Sequence, residues 1–290
     1  MLPPRTLLLA LLPPVCWGAG FTLAKPAAQH FPPLFMMLLI YGFIALATTL
    51  TSRTAIKTPW RHVVIISAFA VTIQGALALW GLKTLNAATA NLLLQAQVPA
   101  AVFMGWLLAG EALNARKLIG TLIALLGVVI VIGLPVEKPP LLPTLAVIAS
   151  GVFWAMGQVL TRMHGRDDGL TMLRANALAG TPQLILATFL LEQGQWQSLT
   201  SANVVQWAAL AFVAVFGFYL AYQAWFSLLR RVRVDEAMPF ILLMTPIGIA
   251  TAALVLGEEI NRVQVMGGLI LLFGLAVVYD VVRLPFARRV

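Results

Sequence analysis

The chain predicts an all-α, polytopic membrane protein of ten transmembrane helices arranged as two inverted five-helix repeats. Three observations predict it: long apolar runs, cations gathered on one side, and an internal repeat. Hydrophobic residues fill 61% of the 290 positions and charged residues 10%, against roughly 45–50% and about 25% in soluble domains. A soluble core of that composition would not stay in solution. The apolar runs last about 18 to 23 residues between short polar joints, the length that about 30 Å of hydrocarbon demands of a helix. They fall near 5–24, 33–51, 62–81, 87–109, 117–134, 142–162, 170–191, 204–227, 236–256 and 264–283. Lipid offers no partner to backbone amides and alternating strand patterns are absent, so the runs are helices.

Span one begins at "MLPPRTLLLALLPPVC", a short basic start and an apolar run like those of a signal peptide. Val15 stands where a lipoprotein cleavage site wants a small residue, and the run continues past Cys16. It reads as an uncleaved first span. Cys16 is the only cysteine, which excludes an intramolecular disulfide and suits a small buried apolar residue. The joints set the orientation. Arg53, Lys57 and Arg61, then Arg116 and Lys117, then Arg162, Arg166 and Arg174, then Arg230, Arg231 and Arg233 fall on one side with the terminal arginines. The other side holds only Lys25, Lys83, Lys138 and Arg262. Both termini are therefore expected in the cytoplasm, with the spans in the cell inner membrane. The net charge of +9 is mostly this asymmetry together with attraction to anionic headgroups, and it gives no support to nucleic-acid binding.

The repeat explains why a tryptophan and a terminal cation occur twice at one spacing. Trp17, Gly20, Phe21 and Lys25 map onto Trp154, Gly157, Gln158 and Arg162 at an offset of 137. After about ten inserted residues the offset becomes 147. There "GEALNARKLIGTLIALLGVVIVIG" from Gly110 lies over "GEEINRVQVMGGLILLFGLAVVYD" from Gly257, with Glu111 over Glu258, Gly120 over Gly267 and Gly127 over Gly274. Pro99 falls over Pro246. Residues 1–138 and 139–290 are two copies of one five-span unit. Five is odd, so the second copy enters the membrane from the opposite side, and the cations follow. Arg116 and Lys117 become Val263 and Gln264, while Lys83 becomes the cluster Arg230, Arg231 and Arg233. Inverted repeats mark secondary transporters, whose substrate binds near the midplane between the halves.

The stretches "CWGAGFTLAKPAAQHFPP", "NLLLQAQVPAAVFMGWLLAGEALNARKLIGTLIALLGVVIVI" and "GEEINRVQVMGGLILLFGLAVV" resemble the EamA branch of the drug/metabolite transporter superfamily across nearly the whole chain. "NLLLQAQVP" is most similar to the cysteine and O-acetylserine exporters of that branch, to which aromatic amino acid exporters are related. The resemblance implies ten helices in two inverted EamA repeats and efflux of small metabolites, often amino acids. Where family members often carry an arginine in the second span, this chain reads "LLIYGF", with Ile40 and Tyr41. No role of that arginine carries over.

Spacing nominates the residues that line a path. On span one, Trp17, Phe21 and Lys25 stand at i, i+4 and i+8; on span six, Trp154, Gln158 and Arg162 form the same stripe. An aromatic ring and a terminal cation suit an amphipathic zwitterion, the ring by stacking and the cation by pairing a carboxylate. The same stripes suit packing tryptophans and cations that reach to the interface. Lys25 lies on the cation-poor side, where topology gives no reason for it. Span three offers Gln74, and Trp80 near a boundary. Span four offers Asn91 and Gln95 on one stripe and Gln97 on another, amides that lipid would penalise unless they face the bundle interior. Pro99 is expected to free the carbonyl of Gln95, and Pro246 that of Leu242 in span nine, as matched helix breaks or as kinks filled by packing. Span eight offers Tyr219, Tyr222, Gln223 and Trp225, with Tyr222 near mid-depth. Met238 and Met244 suit a deformable wall or core filling. "GTLIALLG" and "GGLILLFG" in spans five and ten suit close helix packing.

The remaining chemistry is sparse. Glu111, Glu258 and Glu259 fall at span ends and the other carboxylates in joints or near an exit, so a proton-coupled mechanism on a buried glutamate has no residue here. His30, His62 and His164 lie in separate joints, and no phosphate loop, metal-ligand cluster or nucleophile triad is present. The expectation is a non-enzymatic inner-membrane exporter of amino acids or their derivatives, without cofactor or metal, functional as a monomer in the lipid bilayer. Export of multidrug or cationic compounds and a membrane scaffold are the alternatives.

Overall fold

The computed structural model describes residues 3–110, 115–133, 139–229, 231, 240–241, 243–278 and 281–282. A helix occupies each predicted interval, and no strand occurs among the described residues. Helix α1 spans Pro4–His30 and α2 Pro33–Thr51. "FPP" separates them because a residue before proline is pushed into the extended region, and Pro33 opens α2 at a position whose N–H has no helical partner. Helix α3 covers Trp60–Thr84 and α4 Ala87–Ala109. Then come α5 Ala115–Gly133, α6 Leu141–His164 and α7 Gly169–Leu191. A short helix, Gln195–Ser201, occupies the insertion between the copies. Helix α8 runs through Val204–Phe212, Val213–Leu220 and Ala221–Leu229, followed by α9 Met244–Leu256 and α10 Arg262–Val278.

Among the described residues, six helices are long and apolar enough to cross a membrane: Thr6–His30, Pro33–Thr51, Trp60–Thr84, Ala87–Ala109, Leu141–His164 and Val204–Trp225. The molecule is a polytopic, all-helical membrane protein. Met238 and the Leu242 carbonyl, both singled out in the sequence, lie outside the described residues, as does Glu111.

Departures from regular helix recur at equivalent positions. Ala68–Ile73 of α3 and Val213–Leu220 of α8 are π-helical, and 68–73 shifted by 147 falls inside the second segment. Gly110 and Gly257, also 147 apart, end α4 and α9 with φ of 64° and 66°, the left-handed conformation that glycine adopts without a Cβ penalty. Helix α4 breaks at Gln95 and Ala96, whose amides donate to Leu92 and Leu93 at 3.1 Å each, and restarts at Gln97. This differs from the expected carbonyl freed by Pro99. Because the break comes earlier, Pro99 falls in the first turn of the new segment, and the Gln95 carbonyl accepts from the Val98 amide at 3.1 Å.

Equivalent helices pack antiparallel. A Cβ on Gly120 would stand 2.8 Å from the Gly274 carbonyl, and one on Gly127 2.6 Å from the Gly267 carbonyl, so rising numbers in α5 meet falling numbers in α10. Helices α2 and α7 do the same. Glu192 holds the amides of Leu34 and Phe35 at 2.8 and 2.9 Å at one end, and Arg174 holds the carbonyls of Ser52 and Thr54 at the other. Helix α1 crosses α9 at Gly18, where a Cβ would lie 2.6 Å from the Met244 carbonyl, and α6 crosses α4 at Gly151, 3.0 Å from the Gln97 nitrogen. The main core cluster that results draws residues from both copies, with three small clusters beside it.

Candidate functional site

Helices α1, α2, α6 and α8 bring an aromatic cluster to the interior. Trp17 donates its indole N–H to the Gly217 carbonyl at 2.8 Å, within the π-helical segment of α8. A π-helical turn releases a carbonyl from the regular ladder, and here the indole takes it. The Trp17 ring meets Tyr222 edge-on at 5.3 Å and Trp225 at 6.1 Å between centroids. Phe218 lies 6.2 Å from Tyr222 and 5.4 Å from Tyr41 of α2. From α6, the Trp154 indole comes within electrostatic reach of the Tyr222 hydroxyl. Trp17 and Trp154, equivalents in the two copies, thus converge on one tyrosine. Both, with Tyr222, keep part of their surface accessible, while Tyr41 is buried.

The tyrosine has no double. At the offset of 147, Tyr222 corresponds to Gly75, and the space a side chain there would need is filled by Met37, whose sulfur is 2.6 Å from the Cβ position. Phe218 corresponds to Val71 and Trp225 to Ala78. The second copy supplies Tyr222, Phe218 and Trp225, and at the corresponding positions the first has Gly75, Val71 and Ala78.

Beside the cluster lies a layer of amides. Asn91 is fully buried between α1 and α9; its amide nitrogen donates to the Gly18 carbonyl at 3.2 Å, and its Oδ1 has no partner among the described residues. Gln95, at the break in α4, donates to the Thr245 hydroxyl at 2.6 Å, and Gln97 donates to the side-chain Oε1 of Gln95 at 3.1 Å. Thr245 precedes Pro246 in the first turn of α9, so Gln95 ties the break in α4 to the start of α9.

The other nominated residues are placed as follows. Phe21 packs against the core one turn beyond Trp17. Gln74 follows the π-helical segment of α3 and is half-buried, and Gln158 is exposed on α6 and joins none of these contacts. Arg162 is exposed in the last turn of α6. Lys25 pairs with Glu258 at 2.7 Å, the side chains 14% and 8% exposed. The same carboxylate accepts from the amides of Ala87 and Ala88 at 2.8 and 3.1 Å, so one glutamate caps α4 and neutralises Lys25. Two polar cavities open at this end, of about 500 Å³ beside Lys83 and Glu192 and about 240 Å³ beside Gln29 and Asn203, sharing His30. They are separate from the aromatic cluster.

At the opposite end Asp167 accepts from the amides of Lys57 and Thr58 and from the Thr58 hydroxyl, at 2.8, 2.9 and 2.6 Å. Burial pushes its carboxyl up, but the Thr58 hydroxyl, the two amides and the charge of Lys57 outweigh that and hold it below the usual carboxylate range.

Sequence reasoning singled out neither Gly217, Phe218 nor Thr245, and it noted Tyr41 only as a departure. Thr245 had a signal: it is the polar residue next to the proline of the matched break.

Residues 4–133 and 141–280 each match the EamA-like transporter family. A protein of Salmonella typhimurium named "Probable amino-acid metabolite efflux pump" is 27% identical over 279 residues, covering 92% of each chain. One of the same name from Escherichia coli is 26% identical over 280 residues. An uncharacterized transporter of Bacillus subtilis is 25% identical over 280 residues, covering 92% of this chain and 89% of its own. A solved crystal structure 18% identical in sequence superposes with a TM-score of 0.67 over 94% of this chain and 96% of that one, which establishes a shared fold.

Proposed function

This chain belongs to the EamA-like transporter family, and from that premise we propose that it is an inner-membrane secondary transporter exporting amino acids or their derivatives. Two inverted repeats, residues 1–138 and 139–290 with five helices each, rock about a central cavity, and both termini face the cytoplasm. The antiparallel packing of α2 on α7 and of α5 on α10 supports the inversion, since equivalent helices run oppositely. The Salmonella and Escherichia coli relatives support the substrate class by their names.

The observation that carries the reading is the meeting of Trp17 and Trp154 on Tyr222. Equivalent residues of two copies can touch one group only near the axis that relates them, which is where an alternating-access site lies. Trp17, Phe21, Gln74, Asn91, Gln95, Trp154, Gln158 and Tyr222 form the proposed lining. Lys25 and Arg162 are the charge-pairing or gating cations at the two ends of the path.

Among the described carboxylates, Asp167, Asp168, Glu192 and Glu258 each hold helix-end or joint amides. With Glu259 exposed, none of the described carboxylates is left in the interior for a proton, which supports a facilitator or an exporter coupled weakly by gradients. Uptake of labelled amino acids into proteoliposomes, with and without a pH gradient, tests both points. Saturable flux of a subset is expected. Absence of flux for every amino acid overturns the substrate class, and uphill accumulation driven by the pH gradient overturns the coupling.

A further inference from the structure

We propose a second binding site, apart from the aromatic cluster. The polar basin of about 500 Å³ at the Lys25 end binds zwitterionic α-amino acids by their charged backbone, the carboxylate at Lys83 and the ammonium at Glu192. Its volume lies in the range of small-molecule sites, about 300–1,000 Å³. His30, Lys83, Glu192, Gln193, Gln197 and Ser201 are among the residues that line it. The observation that points to a ligand is a pair of opposite charges that do not meet. Lys83 and Glu192 line one basin, yet neither forms an ion pair with the other or with any other described residue. At the same end of the bundle Lys25 and Glu258 close to 2.7 Å.

The walls hold the two charges apart. Lys83 stands half-buried in the last turn of α3, and its ammonium has no protein acceptor among the described residues. Glu192 is fixed by three neutral donors, the amides of Leu34 and Phe35 and the Thr188 hydroxyl, at 2.8, 2.9 and 2.9 Å. A carboxylate has about four lone-pair sites, so one remains, and the negative charge has no cation beside it. The short helix Gln195–Ser201 supplies another wall. Gln195 seats it by donating to the carbonyls of Thr188 and Glu192 at 2.8 and 3.0 Å, and His30 Nε2 bonds the Ser198 carbonyl at 2.8 Å. In the first copy the corresponding joint, residues 52–59, carries no helix, so this wall belongs to one end of the bundle alone. The side-chain amides of Gln193 and Gln197 have no partner among the described residues and add neutral donors and acceptors to the lining.

An α-amino acid carries its two charges on the two substituents of one carbon and gives each wall its complement. An amine without a carboxylate is attracted by Glu192 and repelled by Lys83; a carboxylate without an amine meets the reverse. Recognition by the backbone makes the side chain secondary. Because the basin opens to water, each charge contact is weak and the ligand is held loosely. In the transporter proposed above, this is where an exported amino acid pauses before release. That role rests on the transport reading; the binding itself does not.

Ser201→Cys in a Cys16→Ala background places the chain's one thiol in the basin, where Ser201 is exposed. Its modification by N-ethylmaleimide in the purified full chain reports occupancy. L-Alanine, L-alaninamide and N-acetyl-L-alanine share a side chain and carry both charges, the positive alone and the negative alone. Alanine is expected to halve the labelling rate at about 1–10 mM, and the other two to need at least about tenfold more. Lys83→Met should weaken protection by alanine about tenfold and bring it level with alaninamide, whereas Lys83→Arg should stay within about threefold. Equal protection by alanine and alaninamide when Lys83 is present, or an unchanged response to alanine in Lys83→Met, overturns the site. Should Lys83→Met fail to fold, the three-ligand comparison decides alone. Proteoliposome uptake of labelled amino acids, alanine included, separates the two readings. Protection without flux keeps the basin and removes the transporter; flux without protection removes the basin and keeps the transporter. Absence of both removes both.

Discussion

The glycine seam between α5 and α10 and the aromatic centre are both built from residues related by the repeat, yet only the seam is symmetric. Gly120 packs on Gly274 and Gly127 on Gly267, and a shift of 147 turns one pair into the other. In the centre Trp17 donates to a backbone carbonyl while Trp154 lies by the Tyr222 hydroxyl, and Tyr222 has a glycine, Gly75, at its equivalent position. Small residues can stay alike in both copies because their task, letting two backbones approach, is the same on each side. The proposed site for one ligand between the copies is different. Perfect symmetry there would require every ring twice in a space that holds one set, so duplication gives way to division of labour.

The largest expected effect tests the ends of the bundle, where the copies are held together by charge. Glu258→Ala leaves Lys25 nearly buried without a counter-ion and uncaps the amides of Ala87 and Ala88. It should cost about 3–5 kcal/mol of stability, read by thermal unfolding in detergent. The double variant Lys25→Met with Glu258→Gln should recover most of that, because no unpaired charge remains. A single variant as stable as wild type would mean that the ends do not hold the copies together.

The seam comes next. Gly127→Ala would place a Cβ 2.5 Å from the Leu271 nitrogen and should cost about 1–3 kcal/mol. Gly274→Ala, its image, should cost the same within about 1 kcal/mol. Unequal costs would break the claim that the seam is symmetric.

Much of this frame was legible in the sequence, and the reasons are physical. Span two, predicted at 33–51, is Pro33–Thr51, because its apolar run is bounded by proline on one side and polar residues on the other. The glycine seam was legible because small residues spaced for helix contact recur in both copies. The π-helical segments were not, since Ala68–Ile73 and Val213–Leu220 are apolar runs like their neighbours and hydrophobicity does not register one extra residue per turn. Nor was the break at Gln95: Pro99 marked a break nearby, but the α-helix ended earlier. For the site, the Trp17 and Trp154 stripes came from spacing alone. The partner of Lys25 lies 233 residues away at Glu258, a separation that no periodicity reports. Tyr41 announced itself only by being unusual; its closeness to Phe218 is made by the packing of α2 on α8.

The centre can be sharpened by exchanging its two tryptophans for phenylalanine one at a time. Trp154→Phe removes the indole N–H beside the Tyr222 hydroxyl, and Trp17→Phe removes the donor that ties α1 to α8. Each deletes one polar N–H contact, about 1 kcal/mol. Trp154→Phe should show that loss as roughly fivefold slower transport at low substrate, with little change in thermal stability. Trp17→Phe should show it as lower thermal stability with nearly unchanged affinity. Identical effects of the two would mean that the tryptophans are as symmetric as the seam.

The smallest effect belongs to the end opposite Lys25, and it is a matter of pH. Asp167 keeps its carboxyl below the ordinary value of 3.8 by accepting from Thr58 and the amides of Lys57 and Thr58. A carboxyl whose folded value is depressed contributes stability that is present above its unfolded value and is lost as pH falls through the folded one. The contribution of Asp167 should therefore be complete at neutral pH and decline below about pH 3.8. Asp167→Asn keeps the shape but exchanges an acceptor oxygen for a donor facing amide hydrogens. It should lower stability by about 1 kcal/mol at pH 7, a modest loss because the site is partly exposed. The gap between variant and wild type should narrow as both are acidified, since the wild type loses the charge that the variant never had. A gap that stays constant down to pH 3 would mean that shape rather than charge joins the copies at this end. In that case the two ends of the bundle would be held by different physics, and the ion pair at Lys25 would have no acidic counterpart at Asp167.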